Sequence, residues 1–235
     1  MIDNKWLKIL IYNINNLIRE GINIRIIFLG KNKSYVIKSL SYLIENGFTI
    51  TIVVCKCNMD KENCNLCKKA EELGIMHCSD DELYSIIDND NSKYKKLITN
   101  IDLVISYLFW KKIKKSLIVL PKTGCINFHP APLPDFRGFS PYTFGILKNS
   151  PYWGVSAHFV DDKFDTGNLI ETSRFLINSK KETSFSLEQK SQKQLYFLFK
   201  KVIKILTDSK ELYSNPQSNG KYFSKKDFEE NREIF

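Results

Sequence analysis

Three apolar runs constrain this chain more than any other feature: NIRIIFLG (23–30), FTITIVVCK (48–56) and NIDLVISYLF (100–109), all rich in β-branched and aromatic residues. Each is of strand length and reads as a buried strand. Between them stand segments with helical apolar spacing, SYVIKSLSYLIENG (34–47) and KKAEELGI (68–75), each with a glycine where a helix would stop. Strand, helix, strand, helix, strand predicts an α/β fold: a Rossmann-like, mostly parallel sheet with helices on both faces. The first strand-to-helix turn, GKNKS (30–34), has a single glycine. A dinucleotide fingerprint needs three, so a nicotinamide cofactor is not expected.

Further along, GVSAHFVDD (154–162) alternates like a strand and GNLIETSRFLI (167–177) reads as another. Residues 184–206 carry helical spacing, with Ser186 and Gln189 as an expected capping box, and 214–229 is turn-rich with aromatics. Residues 5–20 show an amphipathic pattern. The expected organisation is an N-terminal helical extension (1–22), one core (23–178) and a short C-terminal extension of helix and turns (179–235).

The net charge of +9 comes from 30 Lys and only 5 Arg, scattered along the chain. Base and phosphate readout favours clustered Arg, so nucleic acid is not expected as a partner; an anionic small substrate suits the same charge. No run reaches the ~20 apolar residues of a membrane span and no signal peptide is legible, so a soluble, cytoplasmic protein without membrane association is expected. The six cysteines are then expected as reduced thiols. Four of them form CKCNMDKENCNLC (55–67), whose spacing matches no common zinc pattern, and no metal is expected.

The densest constraint lies in GCINFHPAPLPDFRG (124–138). Its first half ends a strand, so Asn127 and His129 alternate onto one face. Pro130, Pro132 and Pro134 then fix φ in the segment that leaves it. Asp165, before Thr166-Gly167 in a predicted turn, can present a carboxylate to the same cleft. An amide, an imidazole and a carboxylate suit attack on a carbonyl carbon. The amide donates to the developing oxyanion, typically worth ~3 kcal/mol, the imidazole handles the departing proton, and the carboxylate holds the imidazole. No serine or cysteine is spaced as a nucleophile, which favours direct transfer over an acyl-enzyme.

Taken together, N-x-H-P-x-x-L-P-x-x-R-G (127–138) and D-T-G (165–167) resemble the folate-dependent formyltransferases. The resemblance implies a formyl group moved from 10-formyltetrahydrofolate to an amine through a tetrahedral intermediate, with Asn127, protonated His129 and Asp165 as the catalytic set. It implies a pterin site along Leu108, Phe109 and Trp110 and along Val160, Asp161 and Asp165, held mostly by backbone groups. Arg137, Gly138, Phe139, His158 and Tyr222 are the expected acceptor-side residues, with Arg137 on a sugar nucleotide and Tyr222 stacked on its base. His158 reads equally as a polar cleft wall or a structural histidine.

Among family branches, methionyl-tRNA formyltransferases carry a C-terminal barrel for which too few residues follow the last matched strand. Formyltetrahydrofolate hydrolases add an N-terminal regulatory domain that 1–22 is too short to supply. Glycinamide ribonucleotide formyltransferases differ in the wording around Pro130 to Gly138. The chain is most similar to short sugar N-formyltransferases acting on dTDP-linked 3- or 4-amino-dideoxy sugars, in HPAPLPDFRG and in the G-x-Y-F-S at 220–224. That branch implies a homodimer. A glycinamide ribonucleotide formyltransferase, or a basic or zinc-stabilised binding module without catalysis, are the alternatives.

Overall fold

The computed structural model describes residues 24–55, 64–89, 92–209 and 211–231. The helix expected over 5–20 lies outside the described residues, as does Cys57. In chain order the first half comprises β1 (Arg25–Gly30), α1 (Ser34–Glu45), β2 (Thr49–Val54), α2 (Asn65–Glu72), β3 (Met76–Cys78), α3 (Asp80–Asp88), β4 (Leu103–Tyr107) and α4 (Lys115–Ile118). The second half comprises β5 (Gly124–His129), β6 (Arg137–Gly138), α5 (Pro141–Leu147), β7 (Tyr152–Phe159), β8 (Leu169–Leu176), α6 (Ser184–Ser209), β9 (Tyr222–Phe223) and α7 (Lys225–Glu230).

Seven strands form one sheet in the order β3-β2-β1-β4-β5-β7-β8. The first five of these pair in parallel, while β7 and β8 are antiparallel to their neighbours. The expected α/β architecture is therefore the observed one. A second, two-stranded ribbon joins β6 to β9, pairing Arg137 with Tyr222 and Gly138 with Phe223.

Alternation along each strand divides the core into two layers. Ile26, Phe28, Ile105 and Phe128 point to the layer filled from α1, α2 and α6 by Leu40, Cys67, Leu195 and Phe199. Ile27, Leu29, Val104 and Cys125 point to the other, filled from α3 and α4 by Leu83 and Leu117. These side chains are almost wholly buried, and each such aliphatic or aromatic group contributes roughly 1.5–3 kcal/mol relative to exposure. Helix α6 thus supplies the same layer as the strands, and the Trp153 indole N–H on β7 is satisfied by Ser191 Oγ of α6 at 2.8 Å. The start of α6 departs from expectation. Thr183 and Ser186 exchange the capping hydrogen bonds, Ser186 N–H to Thr183 Oγ1 at 3.1 Å and Thr183 N–H to Ser186 Oγ at 2.9 Å. Ser186 therefore sits inside the helix and answers the cap, because Thr183 offers a hydroxyl one turn earlier.

Candidate active site

The register of the sheet builds the site. Ser106 on β4 pairs with Asn127 on β5, and Asn127 pairs across with His158 on β7. These three side chains share the face that carries Val104 and Cys125, the side on which α3 and α4 pack. Beyond the apolar residues that those helices cover, the same face turns polar: Asn127, His129 and His158 meet the loop 160–168 instead of a helix.

Asp165 is the hub of that loop. Its Oδ1 accepts from Asn127 Nδ2 at 3.3 Å and lies 3.4 Å from His158 Nε2. Its Oδ2 accepts the Gly138 backbone N–H at 2.9 Å and lies 3.6 Å from His129 Nδ1. Burial alone would raise the Asp165 carboxyl. The two imidazoles and the Gly138 N–H outweigh that and hold it far below the usual carboxylate range. Asp165 has a left-handed backbone, φ 55°, rare for a residue with a Cβ and characteristic of constrained functional loops. Gly167 follows because nothing larger fits: an added Cβ would overlap the Phe159 carbonyl oxygen.

The other orientations are equally fixed. Ser106 Oγ donates to Asn127 Oδ1 at 2.8 Å, and the Asn127 NH₂ faces His158 and Asp165, whose carboxylate can only accept. His158 Nδ1–H donates to the Phe159 carbonyl at 2.7 Å, which turns Nε2 toward Asn127 Nδ2 at 3.2 Å and Asp165 Oδ1 at 3.4 Å. His129 Nε2–H donates to the Phe136 carbonyl at 2.8 Å, so in the neutral ring the lone pair lies on Nδ1, on the Asp165 side. Burial pulls His129 below its ordinary range, with Asp165 and the Phe136 carbonyl opposing without overcoming it. Burial and the Asp165 carboxylate thus pull the ring in opposite directions, the first favouring its neutral form and the second its charged one.

A cavity of about 550 Å³ opens over these groups. Asn127, His129, His158 and Asp165 line it, together with Leu108, Phe109, Trp110, Val160, Asp161, Gly138, Phe139 and Tyr222. Every expected site residue is brought to this one cavity except Arg137. Its guanidinium donates instead to Gln217 Oε1 at 2.9 and 3.2 Å and to the Ser218 carbonyl at 3.1 Å, which ties β6 to the C-terminal tail. Gln217 in turn donates from Nε2 to the carbonyls of Asp165 and Gly167, at 3.0 and 2.7 Å. Arg137 is thus a brace of the Asp165 loop rather than a wall of the cavity. Two contributors were missed from sequence: Ser106 as the orienter of Asn127, and Gln217, which sits in SNPQSNG among turn residues with no pattern to mark it. Phe164 was missed as well; it stacks near Tyr222, ring centroids 6.3 Å apart, and both rings are about half exposed. Lys31, Lys112, Lys163 and Lys225 add positive charge around the opening.

An α/β sheet in which an amide and an imidazole at the end of β5 meet a buried carboxylate from the loop after β7 places the chain in a class whose side chains suit chemistry at a carbonyl carbon. Within that class, the chain belongs to the formyl transferase family, whose sequence model matches residues 24–203. Among curated relatives, the methionyl-tRNA formyltransferase of Thermodesulfovibrio yellowstonii is 29% identical over 159 residues, 65% of this chain and 50% of that one. The chain spans about half the length of that relative. Solved structures are similar across most of the chain. The sugar 3N-formyltransferase WlaRD, determined with dTDP and 5-N-formyl-THF, is 28% identical with a TM-score of 0.70, covering 88% of this chain and 72% of that one. An N-formyltransferase from Helicobacter canadensis, in complex with folinic acid and dTDP-3-aminofucose, is 25% identical with a TM-score of 0.69, covering 87% and 72%. Among the described residues no helix is long and apolar enough to cross a membrane.

Proposed function

We propose that this protein transfers a formyl group from 10-formyltetrahydrofolate to the amino group of a nucleotide-linked amino-dideoxy sugar, with a dTDP-linked 3- or 4-amino sugar as the acceptor. The observation that carries the reading is the convergence of Asn127, His129 and Asp165 on one cavity wall, each held by an independent hydrogen bond. The cavity suits a folate in volume and character. At about 550 Å³ it lies within the range of small-molecule sites, and Leu108, Phe109 and Val160 give it apolar walls.

The folate supplies the formyl carbon as an electrophile. Asn127 Nδ2, whose two hydrogens rest on His158 and Asp165, turns one of them to the oxygen of that carbon as negative charge develops on it. His129, neutral with its lone pair on Nδ1, takes the proton that the acceptor amine loses as its nitrogen bonds to the formyl carbon. Asp165 stabilises the imidazolium so formed, and His129 returns the proton to the folate nitrogen as the old C–N bond breaks. One C–N bond forms, one breaks, and the proton is conserved. Tyr222 and Phe164 offer exposed rings for a nucleotide base, and the lysines at the opening suit a diphosphate. The similarity to two structures with dTDP or a dTDP-amino sugar supports the acceptor class.

The test is incubation with 10-formyltetrahydrofolate and a panel of acceptors, scored by mass for addition of one formyl group. A dTDP-3- or 4-amino sugar is expected to be formylated. Formylation of glycinamide ribonucleotide or methionyl-tRNA alone would reassign the acceptor, and no formylation of any amine would overturn the reading.

A further inference from the structure

The cysteine-rich stretch after β2 plays no part in the site above, yet the fold gives it a partner that the sequence spacing conceals. Cys55 follows directly on Val54 and Cys67 lies on α2; both are buried in the same apolar layer. On the neighbouring strand, His77 pairs with Val53. Side chains alternate along strands, so His77, Val53 and Cys55 share one face, and α2 lays Cys67 over that face. The donor atoms of Cys55, Cys67 and His77 all lie within 4.8 Å of one another.

We propose that Cys55, Cys67 and His77 bind a structural zinc ion at the β2–β3 edge of the sheet. The donor set is soft sulfur with imidazole, the chemistry that selects zinc among the common divalent ions. Donors of a tetrahedral zinc centre, with bonds of ~2.0–2.3 Å, stand about 3.5 Å apart. The three here are within small side-chain adjustments of that arrangement. Glu71 supplies the second observation: its Oε1 lies 2.9 Å from His77 Nε2. A carboxylate on one ring nitrogen fixes the tautomer, puts the hydrogen on Nε2 and presents the Nδ1 lone pair for coordination, the usual support of a zinc-bound histidine.

Charge balance agrees with the burial. Binding expels one proton from each thiol, forms two S–Zn bonds and one N–Zn bond, and involves no change of oxidation state. Two thiolates and a neutral imidazole cancel the dication, so no net charge is introduced into the apolar layer. Water fills the fourth corner, reached from the partly exposed His77 at the sheet edge, and keeps the charge balanced. In the sheet order, β1 and β4 separate β2 from β5 of the catalytic site, so the ion sits apart from the chemistry and pins an edge strand only three residues long.

The experiment is cobalt and zinc titration of the full-length, tag-free protein after chelator treatment. One equivalent of cobalt is expected, with thiolate charge-transfer absorption and the intense visible bands of a tetrahedral site, displaced by one zinc. Glu71→Gln leaves the three donors in place and is expected to weaken zinc affinity about 10- to 100-fold. Cys67→Ser and His77→Gln are expected to abolish the thiolate–cobalt spectrum or shift it strongly. A wild-type protein that takes up no cobalt overturns the proposal without any variant being needed. A folded Cys67→Ser or His77→Gln protein with a wild-type cobalt spectrum overturns it equally.

Discussion

Gln217 donates from its Nε2 to the backbone carbonyl of Asp165 at 3.0 Å, joining a tail residue to the loop that carries the buried carboxylate. The same side chain accepts from Arg137, so one amide braces the loop and the strand β6 that donates Gly138 N–H to the Asp165 carboxylate.

Gln217→Ala removes that brace without touching a reacting group. Turnover is expected to fall roughly 10- to 100-fold, the scale on which small misplacements of catalytic groups act. Steady-state kinetics on the folded variant check this, and an unchanged kcat would show that the loop holds its own geometry.

Asn127→Ala, His129→Ala and Asp165→Ala are each expected to lower kcat by at least ~100-fold, through loss of the oxyanion donor, the proton acceptor and the imidazolium stabiliser. Single-turnover formyl transfer is the measurement. A near-wild-type rate from any one of the three would take that residue out of the mechanism.

The pH dependence follows from directions already fixed. His129 titrates below its ordinary 6.5 and must be neutral to act, so the acid limb of kcat/KM is expected to have its midpoint below that value. Stability moves the same way. Both His129 and Asp165 have folded-state values below their unfolded ones, so the stability they contribute is present at neutral pH and lost on acidification. The loss linked to His129 begins below about pH 6.5, whereas that linked to Asp165 begins nearer pH 4. Thermal denaturation from pH 7 to pH 4 checks the trend, and His129→Gln should flatten its upper part.

Gly167→Ala is expected to destabilise the fold by about 1–3 kcal/mol, because the new methyl group meets the Phe159 carbonyl rather than a yielding side chain. Chemical denaturation measures it, with loss of activity exceeding what the fraction unfolded explains.

Tyr222→Ala should raise KM for a nucleotide-linked acceptor about 10-fold, the loss of one stacked ring, with little change in kcat or in KM for the folate. Kinetics with each substrate varied in turn separate these effects.

The strands were legible in sequence because a buried parallel sheet needs unbroken apolar runs, and NIRIIFLG and NIDLVISYLF supply them. Asn127 and His129 were legible because two residues along a strand means one face, and Asp165 because D-T-G marks a turn. What escaped depends on pairings that no local pattern encodes. Arg137 read as a substrate ligand from its motif, but its guanidinium meets Gln217, eighty residues further on. The start of α6 escaped for a similar reason: Thr183 and Ser186 both offer hydroxyls, and only the observed hydrogen bonds choose between them. His77 becomes a neighbour of Cys55 only through the β2–β3 register.

The ribbon of β6 and β9 carries a last consequence. Gly138, whose N–H holds the Asp165 carboxylate, is paired with Phe223, and the adjacent Arg137 with Tyr222, a ring that lines the cavity. A change in the tail that alters what the opening accepts is expected to reach the Asp165 carboxylate through two backbone rungs. Under the proposed function, selectivity and rate are expected to change together, and a tail grafted from a relative must bring its own partner for β6.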